Sequence, residues 1–130
     1  MRFPQVVVYE HDGRLKHLLA SMVDERRWVL REFRQVEACL KALSAARPAV
    51  FVLRLPVECS QELAMLDRIV RKRANIRVVV VMTATELSEF VGLAWDLGAD
   101  FVIAPPHSLI MLPDIVAGLM LAVTRKNQVT

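Results

Sequence analysis

Residues 48–56 read Pro-Ala-Val-Phe-Val-Leu-Arg-Leu-Pro. Five of these side chains, Val50, Phe51, Val52, Leu53 and Leu55, are β-branched, aromatic or aliphatic, and prolines bracket the run as they bracket a strand. Its hydrophobicity is continuous rather than alternating, which predicts a strand covered on both faces, as in the middle of a parallel sheet. The single charge, Arg54, stands at the carboxyl end. That is the end at which an open α/β sheet keeps its chemistry.

The flanking sequence alternates strand and helix patterns on both sides of this run. Residues 5–9 read as a strand, and Leu15, Leu18, Leu19 and Met22 recur at helical spacing over 14–25. Residues 28–33 form a second strand whose Arg31 and Glu32 suit an edge. Val36, Leu40 and Leu43 mark a helix over 36–45, and Leu63, Leu66, Ile69 and Val70 mark another. Residues 76–82 are the most strand-like run, followed by a helix over 86–97 that Gly98 is suited to close. A fifth strand over 100–104 stops at Pro105-Pro106, and a last helix covers 107–126, its regular part beginning near Leu112 because Pro113 belongs in a first turn. Five unbroken β/α units over residues 1–130 predict one domain, an open parallel sheet with helices on both faces.

Composition narrows the functions available. A chain of 130 residues buries roughly two-thirds of its unfolded surface, so it needs no metal or disulfide staple. At 55% hydrophobic, it either covers both faces of a sheet or keeps apolar surface for a partner. A net charge of +3 permits an acidic partner without demanding one. Cys39 and Cys59 have no CxxC spacing and no histidine cluster, which reads as free or buried thiols in a reducing compartment. The opening Met-Arg-Phe-Pro-Gln runs straight into a strand without a signal peptide, so a cytoplasmic location is expected. The most apolar window, 101–123, is interrupted by Pro105, Pro106, His107, Pro113 and Asp114, and the remaining 115–123 is too short to span a bilayer. Neither GxGxxG nor GxxxxGK occurs, which argues against a nucleotide cofactor.

Such a sheet brings Glu10, His11, Asp12, Arg54, Thr83 and Pro105-Pro106 to one edge. With Gly98-Ala99-Asp100, Thr83-Ala84, Glu10, Pro106 and the frame of 48–56 in this order, the chain resembles the response-regulator receiver family over essentially its whole length. The resemblance implies a flavodoxin-like strand order 2-1-3-4-5 and a role in two-component-type signalling. The departures matter more. Arg54 stands where that family has its phospho-accepting aspartate, Pro105 where it has a lysine, and His11 where it has the second member of an acidic pair. Val102 stands where many receivers have a Tyr or Phe that swings on activation. A guanidinium is not a nucleophile at neutral pH and cannot become an acyl phosphate. It also puts a positive charge where Mg²⁺ would need oxygen ligands. A degenerate receiver, without aspartyl phosphorylation, Mg²⁺, cofactor or enzymatic activity, is therefore expected.

Three arrangements are open to Arg54: an internal ion pair with Glu10, Asp12 or both, a bend to solvent along its apolar stem, or capture of an anion together with His11. The ion pair is favoured, because acids lie close by and an unpaired charge near the sheet is costly. His11 with two acids lacks zinc-site spacing and reads as a loop histidine hydrogen-bonded to its neighbours. Arg68, Arg71, Lys72, Arg73 and Arg77 have no interleaved aromatics, so they read as a solvated helix face and end rather than a nucleic-acid site.

The last helix is apolar nearly all round, whereas a helix on a sheet shows a polar outer face. With Trp95 on the preceding helix, this predicts self-association or partner docking through Trp95, Met111, Met120 and Val123. In receivers the surface of the fourth helix, fifth strand and fifth helix serves this purpose. The leading expectation is thus a phosphorylation-independent interaction module, a homodimer through the last helices. The alternatives are a receiver phosphorylated at another acceptor such as Asp12, and a flavodoxin-like ligand-binding domain.

Overall fold

A computed structural model describes residues 3–45, 47–72 and 75–128. Met1, Arg2 and Arg73, used in the sequence reading, lie outside them. Five parallel strands, β1 (Gln5–Tyr9), β2 (Val29–Phe33), β3 (Ala49–Arg54), β4 (Ile76–Val81) and β5 (Phe101–Ile103), form one sheet in the order β2-β1-β3-β4-β5. Between and after them run α1 (Arg14–Glu25), α2 (Val36–Leu43), α3 (Ser60–Lys72), α4 (Val91–Asp96) and α5 (Leu112–Gln128). This is the flavodoxin-like receiver architecture implied by the resemblance.

The continuous hydrophobic runs are explained by two cores. Successive strand side chains point to opposite faces, so Val6, Val8, Val50, Val52, Val79 and Val81 pack with Leu15, Leu19, Leu112 and Val116 of α1 and α5. Val7, Tyr9, Phe51, Leu53, Val78 and Val80 pack on the other face with Met65, Leu66 and Ile69 of α3. Each buried aliphatic side chain contributes about 1.5–3 kcal/mol relative to exposure. The register aligns Tyr9 with Leu53 and Arg54 with Val81, so the carboxyl ends of β1, β3 and β4 finish side by side.

Local chemistry shifts several boundaries. Residues Thr85–Phe90 form a 3₁₀ segment before the short α4, where one long helix is expected from the sequence. Thr85, Ser88 and Gly92 are weak helix formers, and only Leu87 and Ala94 in this stretch are buried. The helix ends as expected at Gly98: Ala99 N–H donates to Ala94 C=O at 3.1 Å and Gly98 N–H to Trp95 C=O at 3.0 Å, the Schellman pattern. Gly98 has φ 109°, and a Cβ there would lie 2.5 Å from Val70 Cγ1. Before α5, Ser108 Oγ accepts from Ile110 N–H and a 3₁₀ turn spans Leu109–Met111. Regular helix begins at Leu112, with Pro113 in the first turn, where its missing N–H costs nothing.

One expectation is corrected. Met120 is 0% exposed and Val123 2%, so neither lies on an outward surface. Leu112, Val116, Met120 and Val123 recur at helical spacing along the stripe of α5 that faces the sheet. Met111 is half-buried. The apolar groups that remain outside in this region are Leu93 and Trp95 of α4, Ile110, and Leu121 of α5.

Candidate functional site

Glu10 follows β1 directly and is 1% exposed. Its Oε1 accepts from Leu15 N–H at 2.7 Å and Lys16 N–H at 3.1 Å, satisfying two of the free donors at the start of α1. Gly13, at φ 75°, makes the turn that returns the chain over this carboxylate. Asp12 Oδ1 accepts from Arg14 N–H at 3.1 Å. The loop between β1 and α1 is thus organised by its own two acids.

Arg54 reaches this loop from the end of β3. Its Nη1 lies 2.5 Å from Asp12 Oδ2 and 3.7 Å from Glu10 Oε2. Its Nη2 donates to Thr83 Oγ1, 3.2 Å away at the end of β4. Of the three arrangements open to Arg54, the ion pair is therefore the one found, and it spans three loops. Glu10, His11, Asp12, Arg54 and Thr83 all line one open cleft of about 320 Å³, together with Leu55, Pro56 and Val57. Pro105 does not join it. It is exposed and borders a neighbouring cleft with Arg14, His107 and Thr83. Among the described residues, the His11 ring packs edge-on against Tyr9, centroids 5.7 Å apart, instead of hydrogen-bonding its neighbours.

The two carboxylates sit in opposite electrostatic situations. Burial is the largest influence on Glu10 and raises its pKa; the two backbone N–H donors work against this, and the nearby Asp12 adds to it. Its Oε2 has no hydrogen-bond partner. Asp12 is held down to about 2, first by the Arg14 backbone N–H and then by its bond to Arg54. Burial pushes both thiols up, Cys39 to about 12, which keeps them protonated. Among the described residues, no group of three His, Cys, Asp or Glu side chains is arranged around a metal position.

The capping role of Glu10 has no sequence sign, because Glu10 lies four positions ahead of the helix start at Arg14, outside the N-cap and first-turn positions where such acids are recognised. Glu62 is buried at 5% exposure near Cys59, just ahead of its own helix, and near Tyr9 of β1, a neighbour that no local pattern reveals.

No protein-family model matches the chain, and no curated protein matches it significantly in sequence. Solved structures do match. The chain is similar to the signal receiver domain of a protein described as a Luxo repressor from Vibrio parahaemolyticus, with TM-score 0.74 and 18% identity over 98% of both chains. It is similar to the NtrX receiver domain from Brucella abortus, with TM-score 0.70 and 21% identity over 90% of this chain and 98% of that one. A response regulator from Thermotoga maritima matches with TM-score 0.66 and 16% identity over 92% of this chain and 98% of that one. Of a longer NtrX chain, this sequence spans 29%. In strand order, helix placement and extent, the chain has the fold of response-regulator receiver domains.

Proposed function

We propose that this chain is a pseudo-receiver: a non-enzymatic signalling module of the cytoplasm that works by protein contact, independently of aspartyl phosphorylation. The observation that carries this reading is Arg54 at the end of β3, tied to Asp12, Glu10 and Thr83. A receiver that phosphorylates itself needs a carboxylate nucleophile at that position, with Mg²⁺ held by oxygens beside it. Here a guanidinium nitrogen stands between the two acids, and Mg²⁺ finds neither the charge nor the octahedral oxygen set it requires. Pro105 offers no ammonium to a phosphoryl oxygen. Arg54 supplies permanently the positive centre that a bound metal ion supplies transiently, so the edge is held in one state.

Function then rests on surface contacts. Trp95 is 45% exposed, Leu121 46% and Ile110 78%. Trp95 is held edge-on by Phe101 of β5, ring centroids 5.9 Å apart. A ring-fixed exposed aromatic on α4, with exposed aliphatic side chains at Ile110 and on α5, suits a second copy of this chain or another protein. The test is incubation with acetyl phosphate and Mg²⁺, and with fluoroberyllate and Mg²⁺, followed by intact mass spectrometry and amide NMR. Unchanged mass and spectra are expected. A phosphoryl adduct, on Asp12 or any other carboxylate, overturns the reading.

A further inference from the structure

At the opposite end of the sheet from Arg54, the carboxyl ends of α2 and α3 and the start of β4 border a cavity of about 450 Å³. Its floor is apolar, made by Leu40, Leu43, Ile69 and Ile76. Its mouth carries three cations, Arg47, Arg68 and Lys72, and no carboxylate is among its lining residues. The contrast with the other edge is direct. There one arginine has two acids within 4 Å; here the described ion pairs include only one acid for three cations, Glu37 at 3.6 Å from Arg68, with both side chains largely in water. Arg71, in the same basic run, turns away and pairs with Asp67 at 3.0 Å. Arg47 Nε is buried with no hydrogen-bond partner, so only the outer guanidinium nitrogens of Arg47 are available at the mouth.

We propose that this cavity is a binding site for a small amphipathic anion: a carboxylate with an aliphatic body. The apolar body lies on Leu40, Leu43, Ile69 and Ile76, and the carboxylate meets Arg47 and Lys72 at the mouth. The volume is within the range of small-molecule sites, and an apolar floor with a few convergent polar groups is their usual composition. The bidentate geometry of a guanidinium favours a carboxylate over a neutral oxygen. Both α2 and α3 end at the cavity, so occupancy would bear on their spacing.

The test is amide NMR of the full chain titrated with octanoate, with acetate and octanol as separate controls. Octanoate is expected to shift the amides of Leu43, Ser44, Ile69 and Ile76 saturably, with acetate and octanol binding at least about tenfold more weakly. The variant R47Q/K72Q is expected to weaken octanoate by about tenfold or more, and R71Q to leave it unchanged. Equal binding of octanol removes the anion from the proposal. Absence of saturable shifts at these residues in the wild-type chain overturns it, whatever the variants do.

Discussion

Arg54 and Asp12, 42 positions apart in the chain, meet with Nη1 2.5 Å from Oδ2. The contact joins the loop after β1 to the end of β3, and Thr83 extends it to the end of β4. It is half in water on the Asp12 side and wholly buried on the Glu10 side. That asymmetry decides what each substitution does.

Removing the cation strands a buried acid. Arg54→Met is expected to cost about 1–3 kcal/mol at neutral pH, because Glu10 then has no counter-charge. Asp12→Asn is expected to cost under about 1 kcal/mol, since Asp12 is largely solvated. Urea denaturation of both variants checks the order; an Asp12→Asn cost above that of Arg54→Met contradicts it. Arg54→Asp is expected to remain unphosphorylated by acetyl phosphate, because Pro105 supplies no ammonium.

The acids also give the pH dependence a sign. The Asp12 pKa is lowered to about 2, so its contribution is present above its ordinary value near 3.9 and fades as pH falls toward about 2. The Glu10 pKa is raised, so the folded state holds that proton more tightly than the unfolded chain. Its contribution is complete below the ordinary value near 4.3 and is lost as pH rises through the raised value. Stability of the wild-type chain should decline on the alkaline side of about 4.3, and Glu10→Gln, which keeps an oxygen for the Leu15 and Lys16 amides, should lack that decline. Denaturant midpoints measured across this interval decide it.

Gly98 answers to two constraints at once. Its φ of 109° disfavours any side chain, and Val70 Cγ1 stands 2.5 Å from a would-be Cβ. Gly98→Ala should therefore destabilise the chain by about 2 kcal/mol or more. Adding Val70→Ala relieves the clash but not the backbone strain. The double variant should recover only part of the loss in thermal unfolding, net of the small cavity it creates.

The two sides of α5 are expected to respond differently. Met120→Glu places a charge in a closed core and should unfold the chain, a loss above about 4 kcal/mol. Leu121→Glu and Trp95→Glu alter exposed positions and should leave folding intact by circular dichroism. If the proposed docking face operates, either surface variant should shift self-association or partner binding in sedimentation velocity.

Periodicity alone carried the order and type of the strands and helices, because a doubly covered strand and an amphipathic helix each leave a local pattern. Strand order came from the receiver resemblance, since no local pattern encodes which strands pair. The same patterns mark Arg54 as a charge at a strand's carboxyl end with acids within reach. Boundaries shifted where weak helix formers, Thr85, Ser88 and Gly92, let a 3₁₀ segment replace regular helix. Met120 and Val123 fall inside and not on the docking face because α5 is apolar on more than one side, and only packing tells which side is covered; Trp95 stays exposed. The spacing of Leu112, Val116, Met120 and Val123 carried that information in part.

The choice of Asp12 as the direct partner, the burial of Glu10 with one oxygen capping α1, and the position of Pro105 outside the cleft depend on how three loops meet in space. So does the cation-rimmed cavity between α2 and α3, whose walls come from residues far apart in the chain. Local pattern determines which backbone conformation is cheapest residue by residue. Distances between charges are set only when the two cores close, and it is those distances that distinguish a paired arginine from a free one.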